Sequence, residues 1–93
     1  MLFAHNLHSV RVGYAFALLF AGLHLMWALA VAIVPEFVQA IVDMHIRLHF
    51  LNVGVLVQPF EIGLAVGLVL SAAVGGFVFG WLLATIVNFL KGV

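Results

Sequence analysis

The sequence contains no cysteine and very little charge, and both shortages exclude whole classes of function. Without cysteine the chain can form no disulfide, no thiolate metal site and no cysteine nucleophile. Charged residues make up only 6% of the 93 residues and sum to zero net charge, so the chain offers no basic surface for nucleic acid. The few acidic side chains are not paired by spacing, and we therefore expect no enzymatic activity.

The residues that are abundant are apolar, at 68% of the chain. Two charge-free stretches, residues 12–34 and 62–90, are 23 and 29 residues long. At about 1.5 Å per helical residue, each can cross a hydrocarbon core roughly 30 Å thick. Each stretch is apolar on every helical face, and a chain this small cannot bury two such segments in a soluble core. The sequence therefore predicts an all-α membrane protein, a two-helix transmembrane hairpin embedded in the lipid bilayer.

We divide this single membrane domain into a tail (1–11), a first transmembrane helix (12–34), a connection (36–60) and a second transmembrane helix (61–90). Pro35 separates the first helix from the connection, because the residue before a proline disfavours a continuing helix. A connection of 25 residues is long for a simple turn, so we expect it to be structured.

The first half of the connection, residues 36–50, can be interpreted in two ways. As a helix, it stacks four polar side chains on one face and forms a short amphipathic interfacial helix. These side chains are Glu36, Gln39, Asp43 and Arg47. As a strand, residues 43–50 alternate polar and apolar side chains. The helix is favoured because a lone strand beside a membrane has no partner, and we expect Asn52 and Gly54 to end it.

The few charges predict an orientation in the membrane. Arg11 precedes the first span and Lys91 follows the second, whereas the connection carries a net charge of −1. The positive-inside rule then places both termini in the cytoplasm and the connection outside. We expect an integral protein of a bacterial inner membrane. Glu61, just after a proline, is expected to complement the dipole of the second helix.

Small residues recur every fourth position and predict where helices pack. In lipid there is no hydrophobic force between helices, so association depends on close backbone approach, which small side chains permit. Two offset ladders suggest two contacts, one with the first span and one with a second copy or a partner subunit of a larger membrane complex. The second span carries Gly63, Gly67, Ser71 and Gly75, followed by Gly76, Gly80 and Ala84, and the first span offers Gly13, Ala17, Ala21, Ala28 and Ala32.

His24 is the strongly polar side chain near the middle of the first span, on the same face as Ala21 and Ala28. It should therefore point at a neighbouring helix, at the depth of Gly76 and Gly80, where glycine leaves room for the ring. One interpretation is a neutral imidazole bonded to a backbone carbonyl or a facing polar group. Because carbonyls of a helix are already bonded, we expect the partner on a facing helix, a neighbouring copy, a water or a cofactor. The alternative is axial ligation of haem or a chlorophyll.

A second histidine pair lies in the connection, where His45 and His49 share a helical face and Met44 is adjacent. Imidazole and thioether ligands suit copper, and the spacing also suits zinc. Simple interfacial histidines are the default interpretation, and His5 and His8 are expected to belong to a mobile tail.

The layout resembles a family of small bacterial two-span membrane proteins of unknown function. The matching elements are Val34-Pro35-Glu36, His49-Phe50, Pro59, the aromatic-Gly-Trp-Leu run at 79–82 and Asn88. The resemblance implies a membrane hairpin and supplies no activity or site residues. The function predicted from the residues is a non-enzymatic structural or accessory subunit without a cofactor. A metal- or ion-handling protein using Met44, His45, His49 and His24 is the competing hypothesis, and haem or chlorophyll ligation by His24 is the third.

Overall fold

The computed structural model describes residues 6–92 and confirms the predicted all-helical hairpin. Its helices are α1 (Ser9–Ile33), α2 (Pro35–Leu48) and α3 (Ile62–Lys91), and the described residues form no strand. The interpretation of residues 43–50 as a strand is therefore wrong. Helices α1 and α3 are antiparallel and packed along their length, with α2 between them in the chain. Helix α1 begins three residues before the expected position 12, so Arg11 lies in its first turn, and His5 lies outside the described residues.

A single residue separates α1 from α2. Val34 leaves the helical conformation, with φ −132° and ψ 61°, and its amide donates to the carbonyl of Ala30. Its own carbonyl accepts the amides of Phe37 and Val38 and so begins the next helix. Pro35 occupies the first position of α2, where its missing amide hydrogen costs nothing and its fixed φ suits a helix. The proline therefore both ends the first span and starts the interfacial helix.

Helix α2 ends two residues earlier than expected, and glycine is not responsible. The amide of Phe50 donates to the carbonyl of Arg47, and the amide of Leu51 donates to that of Ile46. These are the two bonds of a Schellman motif, which requires a left-handed residue at the position of Phe50. Phe50 adopts a φ of 61° and is 98% exposed. The helix end is thus set by Phe50, and Asn52 and Gly54 follow it in the non-helical connection.

Glu61 caps the start of α3. Its carboxylate accepts the amides of Gly63 at 2.7 Å and Leu64 at 3.0 Å, which would otherwise lack partners in the first turn. The negative charge also complements the positive end of the helix dipole, as the sequence predicted.

The two long helices expose most of their apolar surface. In the most hydropathic window of each, only 6% of the residues are buried within the chain, so neither resembles the core helix of a soluble domain. Both are long and apolar enough to cross a membrane. Large side chains such as Leu18, Met26 and Leu70 point outward, which suits a lipid environment and not water.

Candidate functional site

Helices α1 and α3 approach each other closely at a glycine seam formed by Gly76 and Gly80. A Cβ atom on Gly76 would lie 2.5 Å from the carbonyl oxygen of Phe16, and one on Gly80 would lie 2.6 Å from that of Val12. Both distances are shorter than a methyl group tolerates, so only glycine permits this approach. Ala84 continues the seam and is fully buried. Backbone of one helix here contacts backbone of the other, the geometry in which Cα–H groups face carbonyl oxygens.

Helix α1 contributes small residues to the same seam. Gly13 lies beneath the ring of Phe77, whose nearest atom would be 2.8 Å from a Cβ on that glycine. The Cα of Ala17 lies 3.1 Å from the Cβ position of Gly76. Ala28 is buried and Ala21 half-buried, whereas Ala32 is exposed. The α1 face expected from the sequence therefore meets α3 from position 13 to position 28.

Aromatic rings flank the seam on both sides. Phe16, Phe20 and Phe79 form one cluster, with ring centroids 5.2–6.0 Å apart. Tyr14 and Phe77 form an edge-to-face pair at 5.2 Å. Such pairs contribute about 0.5–1.5 kcal/mol beyond the area they bury. The rings fill the space beside the glycines that a side chain on the seam would otherwise occupy.

A polar clamp closes the end of the hairpin that carries both termini. The side-chain amide of Asn88 donates to the carbonyl of Leu7 and accepts the amide of the same residue, both at 2.8 Å. The hydroxyls of Ser9 and Thr85 lie 3.1 Å apart. None of these four residues is predicted from the sequence to take part in helix packing. The sequence did contain a signal for Asn88, because this residue follows Ala84 by four positions and continues the spacing of Gly76, Gly80 and Ala84. Ala72 continues the same spacing at the other end of the ladder.

The first predicted ladder faces away from α1. A Cβ added to Gly67 or Gly75 would meet nothing within 4 Å, and Ser71 is exposed with its hydroxyl donating to its own helix at Leu68. Gly63 has a different surrounding, because a Cβ there would lie 2.8 Å from the capping carboxylate of Glu61. We define the outer ladder as Gly67, Ser71 and Gly75. It lies on roughly the opposite side of α3 from the glycine seam, since a helix turns about 100° per residue.

The register of the two helices differs from the expected one, and this moves His24. Gly76 and Gly80 face Phe16 and Val12, so the expectation that His24 lies at their depth is wrong. His24 instead lines a groove with Leu68, about two turns nearer the connection. The cause is that backbone contact at the glycines determines the register, whereas the sequence analysis had aligned the ends of the two spans.

The partner of His24 is a backbone carbonyl, as one interpretation of the sequence expected, but it belongs to the same helix. Its Nδ1 lies 2.7 Å from the carbonyl oxygen of Phe20, one turn earlier in the same helix. A carbonyl oxygen has two lone pairs and can accept a side chain in addition to its helical bond. Because the carbonyl only accepts, Nδ1 carries the hydrogen. The expectation that the helix's own carbonyls are excluded as partners is therefore wrong.

His45 and His49 are exposed near the end of α2 and make the same type of bond. Their Nδ1 atoms lie 2.8 and 2.6 Å from the carbonyl oxygens of Ile41 and His45, each four residues back. Residues one turn apart on a helix have Cβ atoms about 5–6 Å apart, so the two rings lie on the same face. A zinc ion held by both at about 2.1 Å would need the two nitrogens within about 4 Å. Both rings keep Nε2 available as a ligand, but two ligands are fewer than the three or four protein ligands of a zinc site.

Met44 is exposed beside this pair, and no described group of three histidine, aspartate or glutamate side chains is arranged to hold a metal ion.

A side-chain amide fastens the connection to α2. Gln39 donates to the carbonyl of Val55 at 2.8 Å and to Asp43 at 3.0 Å, and it accepts the amide of Val57 at 2.7 Å. The fastened segment covers a cleft of about 290 Å³ between the helices, lined mainly by apolar side chains including Trp27, Leu64 and Leu68. The sequence analysis placed Gln39 in the polar stripe but did not anticipate these bonds.

Comparisons of the chain with protein-family models, with curated proteins and with solved structures give no match.

Proposed function

We propose that the chain is an integral membrane hairpin of a bacterial inner membrane that acts as a non-enzymatic structural or accessory subunit. Both termini lie in the cytoplasm, because Arg11 and Lys91 flank the spans on that side and the connection carries the acidic residues. The subunit assembles through α3, either with a second copy or within a larger membrane complex.

The observation that carries this proposal is the open outer ladder. Within the chain, small residues on one side of α3 bring α1 to backbone distance. The outer ladder repeats the same four-residue spacing of small side chains on the other side, and Gly67 and Gly75 have nothing within 4 Å. A glycine in a helix interior costs about 1 kcal/mol relative to alanine in helix propensity. If Gly67 and Gly75 faced only lipid, each would lower the stability of α3 without making a contact that compensates for it.

Lipid tails do not fill such a surface as well as another helix does. Between membrane helices the favourable terms are van der Waals packing and weak Cα–H contacts, and both require the close approach that small residues allow. The outer ladder therefore suits a third transmembrane helix, from a copy or a partner, packed against α3 opposite α1. His24 and the connection need not take part in this contact.

The test replaces Gly67 and Ser71 with leucine and measures association in bilayers by energy transfer between donor- and acceptor-labelled chains. We expect the double variant to lose association by roughly thirtyfold, since each of the two lost close contacts costs on the order of 1 kcal/mol. The matched control is Gly22→Leu, because Gly22 is also an exposed helical glycine with nothing within 4 Å. If the double variant and the control associate equally well, the outer ladder is not an interface. If the partner is a different protein, the double variant and Gly22→Leu are each purified from the membrane, and the proteins that co-purify with them are compared.

A further inference from the structure

The side chain of His24 has one ring nitrogen in use and one free. Nδ1 donates to the carbonyl of Phe20, so Nε2 of the neutral imidazole carries a lone pair and can only accept a hydrogen bond or bind a metal. No described residue bonds to Nε2, and the described part of the chain contains no buried side-chain nitrogen or oxygen without a partner. Nε2 therefore reaches the surface of the helix pair. In hydrocarbon, a polar atom without a partner costs several kcal/mol, so this atom requires a ligand.

A groove lies beside this ring. Leu23, His24, Trp27 and Leu68 line about 390 Å³ between α1 and α3. Trp27 and Leu68 also line the cleft of about 290 Å³ beneath the connection, so the two spaces adjoin. This groove lies about two turns nearer the connection than the close approach of the two helices at Gly76 and Gly80. Its combined size falls in the range of ordinary small-molecule sites, about 300–1,000 Å³.

The chemistry of the groove restricts what it can hold. Its walls beside His24 are a flat indole and aliphatic side chains, so a ligand there must be largely apolar and soluble in the membrane. The polar group available in the groove is the lone pair of Nε2, which cannot donate a hydrogen bond to a quinone carbonyl. A metal centre in a flat apolar ring satisfies both conditions. Histidines that bind metals usually donate their other ring nitrogen to a carboxylate, a backbone carbonyl or a water, as Nδ1 of His24 does.

We propose that the groove binds a metal tetrapyrrole of the haem class, with Nε2 of His24 as an axial ligand to the metal. The bond to Phe20 fixes the tautomer that leaves Nε2 free and makes this nitrogen a stronger ligand. Trp27 and Leu68 contact the ring of the tetrapyrrole, and the carboxylates at its edge extend along the adjoining cleft toward the membrane surface at the connection. This site is independent of the outer ladder and of any assembly through it.

The experiment titrates the purified full chain in detergent micelles with haemin and follows the Soret band. We expect a shifted band relative to haemin in empty micelles, saturating at no more than one haemin per chain. His24→Leu should abolish the shift. The matched control is His45→Leu, which removes a histidine with the same bond to a carbonyl four residues back, and it should bind like the wild type. Helical content and elution volume establish that each variant is folded.

A second variant keeps the proposal falsifiable if His24→Leu does not fold. Leu68→Trp leaves the histidine intact and fills the groove, and we expect it to weaken haemin binding by at least roughly tenfold. A wild-type chain that does not shift the band would overturn the proposal. So would a folded His24→Leu or Leu68→Trp variant whose affinity matches the wild type, since haemin would then be partitioning into micelles and not binding this site.

Discussion

Replacing Gly76 with alanine should force α1 and α3 apart. The added Cβ would lie 2.5 Å from the carbonyl oxygen of Phe16 and 3.1 Å from the Cα of Ala17, both backbone atoms that cannot rotate away. Ordinary contact begins at 3.4 Å, so the helices must separate locally by about 0.9 Å. A gap of this size removes about a quarter to a half of the van der Waals attraction between the facing atoms of the two helices.

The expected loss of stability follows from that displacement. Overpacking of this kind costs about 1–3 kcal/mol, and the better helix propensity of alanine returns up to about 1 kcal/mol. We therefore expect Gly76→Ala to lower the free energy of unfolding by about 1–2 kcal/mol. Tryptophan fluorescence measures this free energy during unfolding by dodecyl sulfate in mixed micelles.

The control for this prediction is Gly67→Ala, in the same helix. A Cβ at Gly67 meets nothing within 4 Å of the chain, so the isolated hairpin should be unchanged or slightly more stable. The measurement is made at high dilution in detergent, where association between copies does not contribute. Equal stability of Gly76→Ala, Gly67→Ala and the wild type would refute the close contact.

Three further changes test other parts of the hairpin. Asn88→Leu removes both bonds to the backbone of Leu7, and unfolding in dodecyl sulfate should show a loss of about 1–2 kcal/mol; an unchanged midpoint would mean that the clamp does not form. Phe50→Gly relieves a left-handed conformation and should raise the stability of the helix end by up to about 1 kcal/mol, whereas Phe50→Ala should not; amide hydrogen exchange in α2 measures the difference. Metal analysis of the purified protein should find no more copper or zinc in the wild type than in the double variant His45→Ala/His49→Ala, because two histidines supply fewer ligands than such a site needs; metal that is lost in the double variant would support a metal-handling function.

The parts of the fold that follow from local chemistry could be predicted from the sequence. Two long apolar stretches predict the two long helices, and Pro35 predicts the break between α1 and α2, because these signals act over a few residues. The helical interpretation of the connection is confirmed for the same reason. The spacing of Gly76, Gly80 and Ala84 identifies a face of α3 that is buried against α1.

The features that the sequence analysis missed depend on the register between distant segments. The depth of His24 could not be obtained from span lengths, because the backbone contacts at Gly76 and Gly80 determine which residues are opposite one another. The bonds from Asn88 to Leu7 depend on the same register. The end of α2 was misplaced for a different reason, since a left-handed phenylalanine is rare and no glycine marks the position.

The most direct test of the central proposal, a hairpin that crosses the bilayer twice, is the accessibility of single cysteines. The chain has no cysteine of its own, so His8→Cys and His45→Cys each introduce one reactive thiol without background. His8 precedes α1 and His45 lies in α2, and both are exposed. In intact cells, an impermeant maleimide should label position 45 and leave position 8 unlabelled until the membrane is permeabilised. Labelling of both positions, or of neither, in intact cells would contradict a hairpin, and labelling of position 8 alone would contradict its orientation.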